Sequence, residues 1–344
     1  MLTEIDRLPD GFLEIGSTEL YRILPGPTLM HLPGRKPEPL FVSILLHGNE
    51  DTGLLAIQSL LKKHVGQSLP RALSVFVGNV EAARHGLRRL ENQPDFNRVW
   101  PGSPDSGLAE HELMQDVVNR MTKRGAFASI DLHNNTGLNP HYACINRLEH
   151  RFLHLALLFS RTVVYFTQPE GVQSAAFAPL CPAVTVECGK PGMVSGVEHA
   201  MRFVEAALHL SEFPAHPVPQ QDVDLFHTVA TVKVPESIAF KVGKPGVGLW
   251  FVDDIDHLNF RELPSGTLLG HFDLDSQMPL TAVNNDHQDI ADHYFEVRDG
   301  QLLTRRPAMP AMLTRDERVI RQDCLCYLME RIDMEQVRSY SNSR

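Results

Sequence analysis

Two short stretches of this chain combine residue types that hold metal ions. His47-Gly48-Asn49-Glu50 hangs an imidazole and a carboxylate three residues apart just after the apolar run 41–46. Asp131-Leu132-His133 ends a second apolar run, 128–132, in another imidazole. Residues three apart on a tight turn at a helix start can face one ion. His47, Glu50 and His133 together make the two-histidine, one-glutamate set typical of catalytic zinc, whose fourth tetrahedral position stays open for water. Hydrolysis on such a centre needs a base that takes a proton from water and returns it to the leaving group. Glu187, at the end of Ala183-Val184-Thr185-Val186 and before Cys188-Gly189, is placed for that. In Asp95-Phe96-Asn97-Arg98 the adjacent Asn97 and Arg98 can offer a donor fork to a carboxylate, and Asp95 could orient a metal-binding imidazole. Each motif also has a plainer reading. His and Glu neighbours recur by chance, as Glu110-His111-Glu112 shows, a strand-end carboxylate can simply meet solvent, and a polar loop can simply be solvated. What favours chemistry is the shared setting, because open α/β sheets gather function beyond their strand ends.

The elements that must position these residues follow from periodicity. From residue 40 to about 210, short Val-, Ile-, Phe- and Leu-rich runs alternate with segments of helical period, the pattern of an α/β sheet covered by helices. Strands are predicted over 41–46, 72–77, 128–132, 162–166 and 183–186. Helices are predicted from Leu54 through Lys63, over 109–124 with Gly125 as the stop, over 149–160 and over about 195–210. The proline-rich stretch 211–219 reads as a linker, dividing a domain 1–212 from a β-rich domain 213–344. In the latter, strands are predicted over 228–234, 237–242, 248–252, 267–271 and 294–297, with Asp299-Gly300 as a hairpin turn and a closing amphipathic helix over roughly 315–332.

Composition sets outer bounds. At 344 residues the chain exceeds a usual single core, which again implies one large and one smaller domain. A net charge of -10 with scattered basic residues argues against nucleic acid or an anionic membrane as partner. No apolar run reaches membrane-spanning length, and the expectation is a cytoplasmic protein. A homo-oligomer is compatible with this composition. The five cysteines form no knuckle or redox spacing and read as free thiols. Cys188, with no activating base beside it, is read as structural rather than nucleophilic.

Taken in order, the motifs resemble the succinylglutamate desuccinylase/aspartoacylase family, relatives of the zinc carboxypeptidases. The resemblance runs through His47-Gly48-Asn49-Glu50, Gly78-Asn79, Gly86-Leu87-Arg88, Asp95-Phe96-Asn97-Arg98, Asp131-Leu132-His133-Asn134-Asn135-Thr136 and Val186-Glu187-Cys188-Gly189. Leu258-Asn259-Phe260 and Pro264-Ser265-Gly266-Thr267-Leu268 are similar to the small β domain of the desuccinylases. The resemblance implies a zinc-carboxypeptidase-like α/β/α domain with a central mixed sheet plus a smaller C-terminal β-rich domain. It implies one zinc ion on His47, Glu50 and His133, with Glu187 as general base and acid. Arg88, by its Gly-x-Arg setting, would polarise the scissile carbonyl, with the neighbouring Arg89 as the alternative, and Asn97 and Arg98 would hold the substrate's α-carboxylate. His141 lines the substrate cleft or faces solvent on this reading. Tyr294 reaches the site or simply packs. The chain departs from aspartoacylase between Gln173 and Val186, where no arginine or lysine stands ahead of Glu187 to grip a second carboxylate.

The expected function is a zinc-dependent amidohydrolase removing an acyl group from a small carboxylate-bearing N-acyl amino acid or related amide. Two alternatives stand beside it, a carboxypeptidase-type peptide hydrolase and a non-catalytic zinc-stabilised binding protein. The β-rich domain argues mildly against the first, since in the family such a domain narrows the entrance and favours small substrates.

Overall fold

A computed structural model describes residues 1–104, 107–245, 248–273 and 278–333. Its contacts fall into two compact units. One takes Met1–Asn134, His141–Leu225 and Asp333, and the other takes Asn135–Pro140 and Phe226–Ile332. The proline-rich stretch belongs to the first unit, where Phe213 stacks on Phe127 at 5.0 Å and Val218 is buried.

In chain order the first unit contains β1 (Thr3–Ile5), β2 (Thr28–Leu32), β3 (Gly34–Ile44), α1 (Thr52–Lys63), β4 (Leu69–Val77), α2 (Val80–Arg84), α3 (Ala109–Arg124), β5 (Ala128–His133), β6 (Tyr142–Ile145), α4 (His150–Leu157), β7 (Thr162–Tyr165), α5 (Gln173–Phe177), β8 (Ala183–Glu187) and α6 (Val194–His209). These strands form a mixed sheet in the order β1-β2-β4-β3-β5-β8-β6-β7. β3 runs parallel to β4 and β5, and β5 parallel to β8, so the carboxyl ends of β3, β5 and β8 share one edge. β2 against β4 and β6 against β8 are antiparallel.

Side chains alternate across a strand, and that alternation sorts the helices. Ile44 of β3 and Leu132 of β5 face α1, whose Gly53 allows the close approach, and α1 packs in turn against α6. Phe41 of β3 lies on the opposite face, stacked on Phe177 of α5 at 4.4 Å. Trp100 closes this side of the core edge-on to Phe76 and Phe177. Fully burying a side chain such as Ile44 or Phe41 contributes about 1.5–3 kcal/mol, so the central strands are held in place mainly by these apolar faces. Ser43 and Asp131 share the Phe41 face. The same strands that carry the core therefore carry polar groups toward the sheet's functional edge.

The second unit is β-rich. It contains β9 (Asp224–Lys233), β10 (Phe240–Val242), β11 (Leu249–Phe251), β12 (Leu268–Phe272), β13 (Thr281–Asn284), α7 (Ala291–Tyr294), β14 (Phe295–Arg298), β15 (Gln301–Thr304), β16 (Met309–Ala311), α8 (Glu317–Gln322) and β17 (Cys326–Arg331). β10-β11-β12-β15-β14 form one small sheet, while β13 and β17 flank β9 and β17 pairs on to β16. Asp299 and Gly300 turn the β14–β15 hairpin with φ of 51° and 71°, the paired positive φ of a tight hairpin. The closing helix expected over 315–332 is corrected. A helix capped by Asp316 covers Glu317–Gln322, and the chain then becomes β17. Cys326 and Leu328 alternate inward there, and the hydrogen-bonding edge of β9 takes the segment as a strand. Tyr294 ends α7 instead of opening a strand.

Candidate metal centre

Three strand ends and one loop build this site, all within the first unit. β3 leaves the sheet through Leu45, whose φ of 54° turns the chain into His47. Glu50 N–H then donates to His47 O at 3.2 Å, closing a turn that brings both side chains to one side just before α1. β5 ends in His133. The three buried residues place ligand atoms within 4.8 Å of one another. His47 Nδ1 lies 2.8 Å from Glu50 Oε1, and His133 Nδ1 lies 2.8 Å from Glu50 Oε2.

The far nitrogen of each ring has its own carboxylate. His47 Nε2 lies 2.9 Å from Asp95 Oδ1, and His133 Nε2 lies 2.8 Å from Asp131 Oδ2. Those partners place a hydrogen on each Nε2 and leave each Nδ1 lone pair facing the Glu50 carboxylate, a tautomer assigned from the hydrogen-bond network. Two nitrogen lone pairs and a carboxylate turned toward one another need positive charge between them. The same demand appears in the titration. Burial works against a proton on His133, but Asp131 and Glu50 outweigh it and raise the imidazole well above its ordinary value. Burial and Arg88 oppose a proton on His47, and Asp95 and Glu50 again prevail. Burial would raise Glu50, yet the two histidines hold it far below the usual carboxylate range. A divalent cation on these donors meets that demand, and two imidazoles with a carboxylate are a donor set that first-row divalent metals accept.

Glu187 stands beside His133 as its register partner across β5 and β8. Its Oε2 has no hydrogen-bond partner among the described residues. Burial pushes its carboxyl up to about 7, with Glu50 adding to the rise while His133, His47 and Arg88 pull against it. A buried carboxyl poised near neutrality, with a free oxygen, can take and give a proton.

Arg88 joins the cluster and Arg89 does not. Arg88 Nη2 donates to Asp95 Oδ2 at 3.0 Å and Nη1 lies 3.5 Å from Glu50 Oε1, whereas Arg89 Nη1 donates to Gln93 O at 2.8 Å. Asn97 is buried with its amide committed inside the protein. Nδ2 donates to Asp131 Oδ2 at 3.3 Å, and Oδ1 accepts from Gln173 N–H at 2.9 Å. Arg98 is half-buried beside it, Nη1 donating to Asn97 O at 2.8 Å. His141 is half-buried against His199, ring centroids 4.8 Å apart, and its Nε2 would lie 3.2 Å from a Cβ on Gly189. Tyr294 belongs to the second unit, where its hydroxyl donates to Glu330 Oε1 at 3.0 Å; burial and Glu330 push it up to about 12. Cys188 is wholly buried, and burial with the Glu187 and Glu50 charges holds its thiol well above its ordinary value, so no thiolate nucleophile is available there.

Two residues of the site had no role assigned by the sequence. Asp131 holds His133 and is itself held by Ser43 Oγ at 2.6 Å. Asn134 donates its N–H to Glu50 Oε2 at 3.1 Å and its Nδ2 to Gly189 O at 2.8 Å, tying the Glu50 carboxylate to the segment after Glu187. The usable signal was a charged Asp131 set between the apolar Ile130 and Leu132.

Comparison with known proteins bears on what this centre belongs to. No curated protein sequence matches the chain. Among solved structures, the succinylglutamate desuccinylase of Chromobacterium violaceum is 17% identical with a TM-score of 0.56, over 87% of this chain and 86% of that one. Murine aminoacylase 3 is 14% identical with a TM-score of 0.55, over 87% and 96%. The product-bound ectoine utilization protein EutE (DoeB) of Ruegeria pomeroyi is 15% identical with a TM-score of 0.53, over 89% and 88%. At such identities these likenesses speak for the fold. The profile of the succinylglutamate desuccinylase/aspartoacylase catalytic domain matches residues 40–213, the stretch that carries His47, Glu50, His133 and Glu187. This chain is a member of the succinylglutamate desuccinylase/aspartoacylase family of deacylases.

Proposed function

We propose that the chain is a zinc-dependent amidohydrolase that removes the acyl group from an N-acyl amino acid or a similar small amide. One observation carries this reading: a buried His47–Glu50–His133 donor set has beside it a carboxyl, Glu187, with an unpartnered oxygen and a pKa near 7. His47, Glu50 and His133 would hold the ion, with Asp95 and Asp131 fixing the two rings. Once bound, zinc supplies Lewis acidity toward the amide carbonyl and lowers the pKa of a water at the site.

The chain's own residues do the rest. Glu187 takes a proton from the attacking water and hands it to the amine nitrogen as the C–N bond breaks. Arg88, steadied by Asp95 and Glu50, directs its guanidinium at the carbonyl oxygen as negative charge develops there. Arg98 receives the substrate's α-carboxylate, and Asn97, whose carbonyl anchors that guanidinium, sets where it stands. His141 borders the same space from the side of Gly189. No step is assigned to Tyr294, whose hydroxyl donates to Glu330.

Between Gln173 and Val186 no cationic side chain stands, and Gln173 and Ser174 bond inward to Ser129 and Thr185. That composition supports a substrate with one carboxylate in place of an aspartate-like one with two. The five free cysteines fit a reducing cytoplasm.

A panel of N-acyl amino acids and short peptides, assayed with zinc-loaded protein, tests the reading. Release of free amino acid from the acyl compounds, abolished by a chelator and restored by zinc, is the expected result. Cleavage of peptides alone would replace it with a carboxypeptidase, and hydrolysis of neither would leave a binding protein.

A further inference from the structure

Residues 40–46 of β3 and the turn after it read Leu-Phe-Val-Ser-Ile-Leu-Leu, and Ser43 is the one polar side chain in that run. It is completely buried, as is Asp131, its register partner on β5. Hydroxyls are not placed in buried apolar strands without a partner, because an unsatisfied polar group there bears its full desolvation penalty. Here Ser43 Oγ donates to Asp131 Oδ1 at 2.6 Å, while Asp131 Oδ2 takes His133 Nε2 at 2.8 Å.

We propose that Ser43 is a positioning residue for the metal centre, acting through Asp131 to fix the direction in which His133 presents Nδ1. The inference rests on the metal-binding reading above. Asp131 is a carboxylate with no exposed surface, so each oxygen depends on protein donors. Oδ2 has His133 and, at 3.3 Å, Asn97 Nδ2. Oδ1 has the Ser43 hydroxyl, which fixes the rotation of the carboxylate in the plane that accepts the imidazole N–H. Without it, Oδ1 is a buried charged acceptor short of a donor. The carboxylate then gains by rotating toward other donors, and the ring it holds loses its fixed orientation. The ligand direction is thus set by a chain crossing two strands, Ser43 on β3 to Asp131 and His133 on β5, all on the face that carries Phe41. The carboxylate partners of metal-binding histidines commonly matter about 10–100-fold in metal affinity, and a residue one step further out is expected near the lower end.

A buried serine elsewhere provides the control. Ser74 Oγ bonds His31 Nδ1 at 2.8 Å on β4 and β2, a pair that touches neither Asp131 nor a ligand. Zinc affinity is measured on the full chain by competition with a chelating dye, with the thermal midpoint of each metal-free variant recorded alongside. Ser43→Ala is expected to bind zinc about tenfold more weakly, Asp131→Asn more weakly still, and Ser43→Thr, which keeps the hydroxyl, close to wild type. Ser74→Ala is expected to match wild type in zinc affinity. Wild-type affinity in Ser43→Ala, or an equal loss in Ser74→Ala, would overturn the role of Ser43 while leaving the metal centre standing. Failure of the wild-type chain to bind zinc would overturn the metal reading itself, and the role of Ser43 with it.

Discussion

His133 and Glu187 face each other as register partners at the carboxyl ends of two neighbouring parallel strands. Their proximity is therefore enforced by the backbone ladder of β5 and β8 and does not depend on a loop conformation. A parallel pair that is one register out would carry Glu187 to the other face of the sheet, so the juxtaposition is as firmly specified as the core itself. The candidate ligand and the candidate proton carrier are set by the same hydrogen bonds.

The first expectation concerns Glu187 alone. Glu187→Gln keeps shape and burial but removes the titratable group, while the donors of His47, Glu50 and His133 stay untouched. Zinc content is expected to remain near that of the wild type. Turnover of N-acyl amino acids is expected to fall by about 10²–10⁴-fold, the usual worth of general acid–base catalysis. Metal analysis and steady-state kinetics on one preparation decide it; a variant with most of its turnover intact removes Glu187 from the reaction.

Titration of the same carboxyl leaves a mark on stability. Burial raises Glu187 from 4.5 to about 7, so the folded metal-free chain holds this proton at pH values where the unfolded chain has released it. The stability contributed by this group is fully present below 4.5 and is lost as pH rises through 7. Two and a half units at about 1.4 kcal/mol each amount to on the order of 3 kcal/mol. Metal-free Glu187→Gln is thus expected to match wild type at pH 4 and to exceed it by that order at pH 8. Urea unfolding at the two pH values reads the difference, and equal gaps at both would show that Glu187 is not held protonated.

Much of this was legible in the sequence, and the reasons are physical. The strands leading to His47, His133 and Glu187 are buried on both faces, so they appear as largely apolar runs, and α3 over Ala109–Arg124 shows its full helical period. β6 was missed because four residues, Tyr142–Ile145, carry too little pattern. α8 was overextended because 323–332 continues an apolar rhythm that only the waiting edge of β9 converts into a strand. Ser43 was invisible for another reason. A single serine in a strand has no local signal, and its meaning lies 88 residues away in Asp131. Arg88 already had the better sequence setting, two residues after Gly86, and where the loop turns separates it from Arg89.

That separation is open to kinetics. Arg88 touches Asp95 and Glu50, while Arg89 is tied to the Gln93 carbonyl. Arg88→Ala is expected to lower kcat by about 10²–10³-fold, the cost of losing one group that meets a developing oxyanion. Arg89→Ala is expected to change kcat little. The reverse order, or equal losses, would move the carbonyl-polarising role away from Arg88.

Gly48, inside the ligand motif, offers a test of how the motif is seated. Its N–H donates to Arg88 O at 3.1 Å, and a Cβ at this position would stand 2.2 Å from Ala83 N and 2.7 Å from Leu87 O. Those neighbours are backbone atoms of α2 and of the loop leading to Arg88, so they cannot swing aside as a side chain would. Gly48→Ala must therefore push the His47 turn away from the Arg88 loop. Overpacking of this kind costs about 1–3 kcal/mol. The displacement reaches His47, a candidate metal ligand, on one side and Arg88 on the other, so zinc affinity and kcat are both expected to fall. Gly26→Ala makes the comparison, since a Cβ there meets nothing within 4 Å, and its stability is expected to stay within about 0.5 kcal/mol of wild type. If Gly48→Ala loses stability but keeps zinc affinity and kcat, the close approach serves the fold alone and the His47 turn does not depend on it.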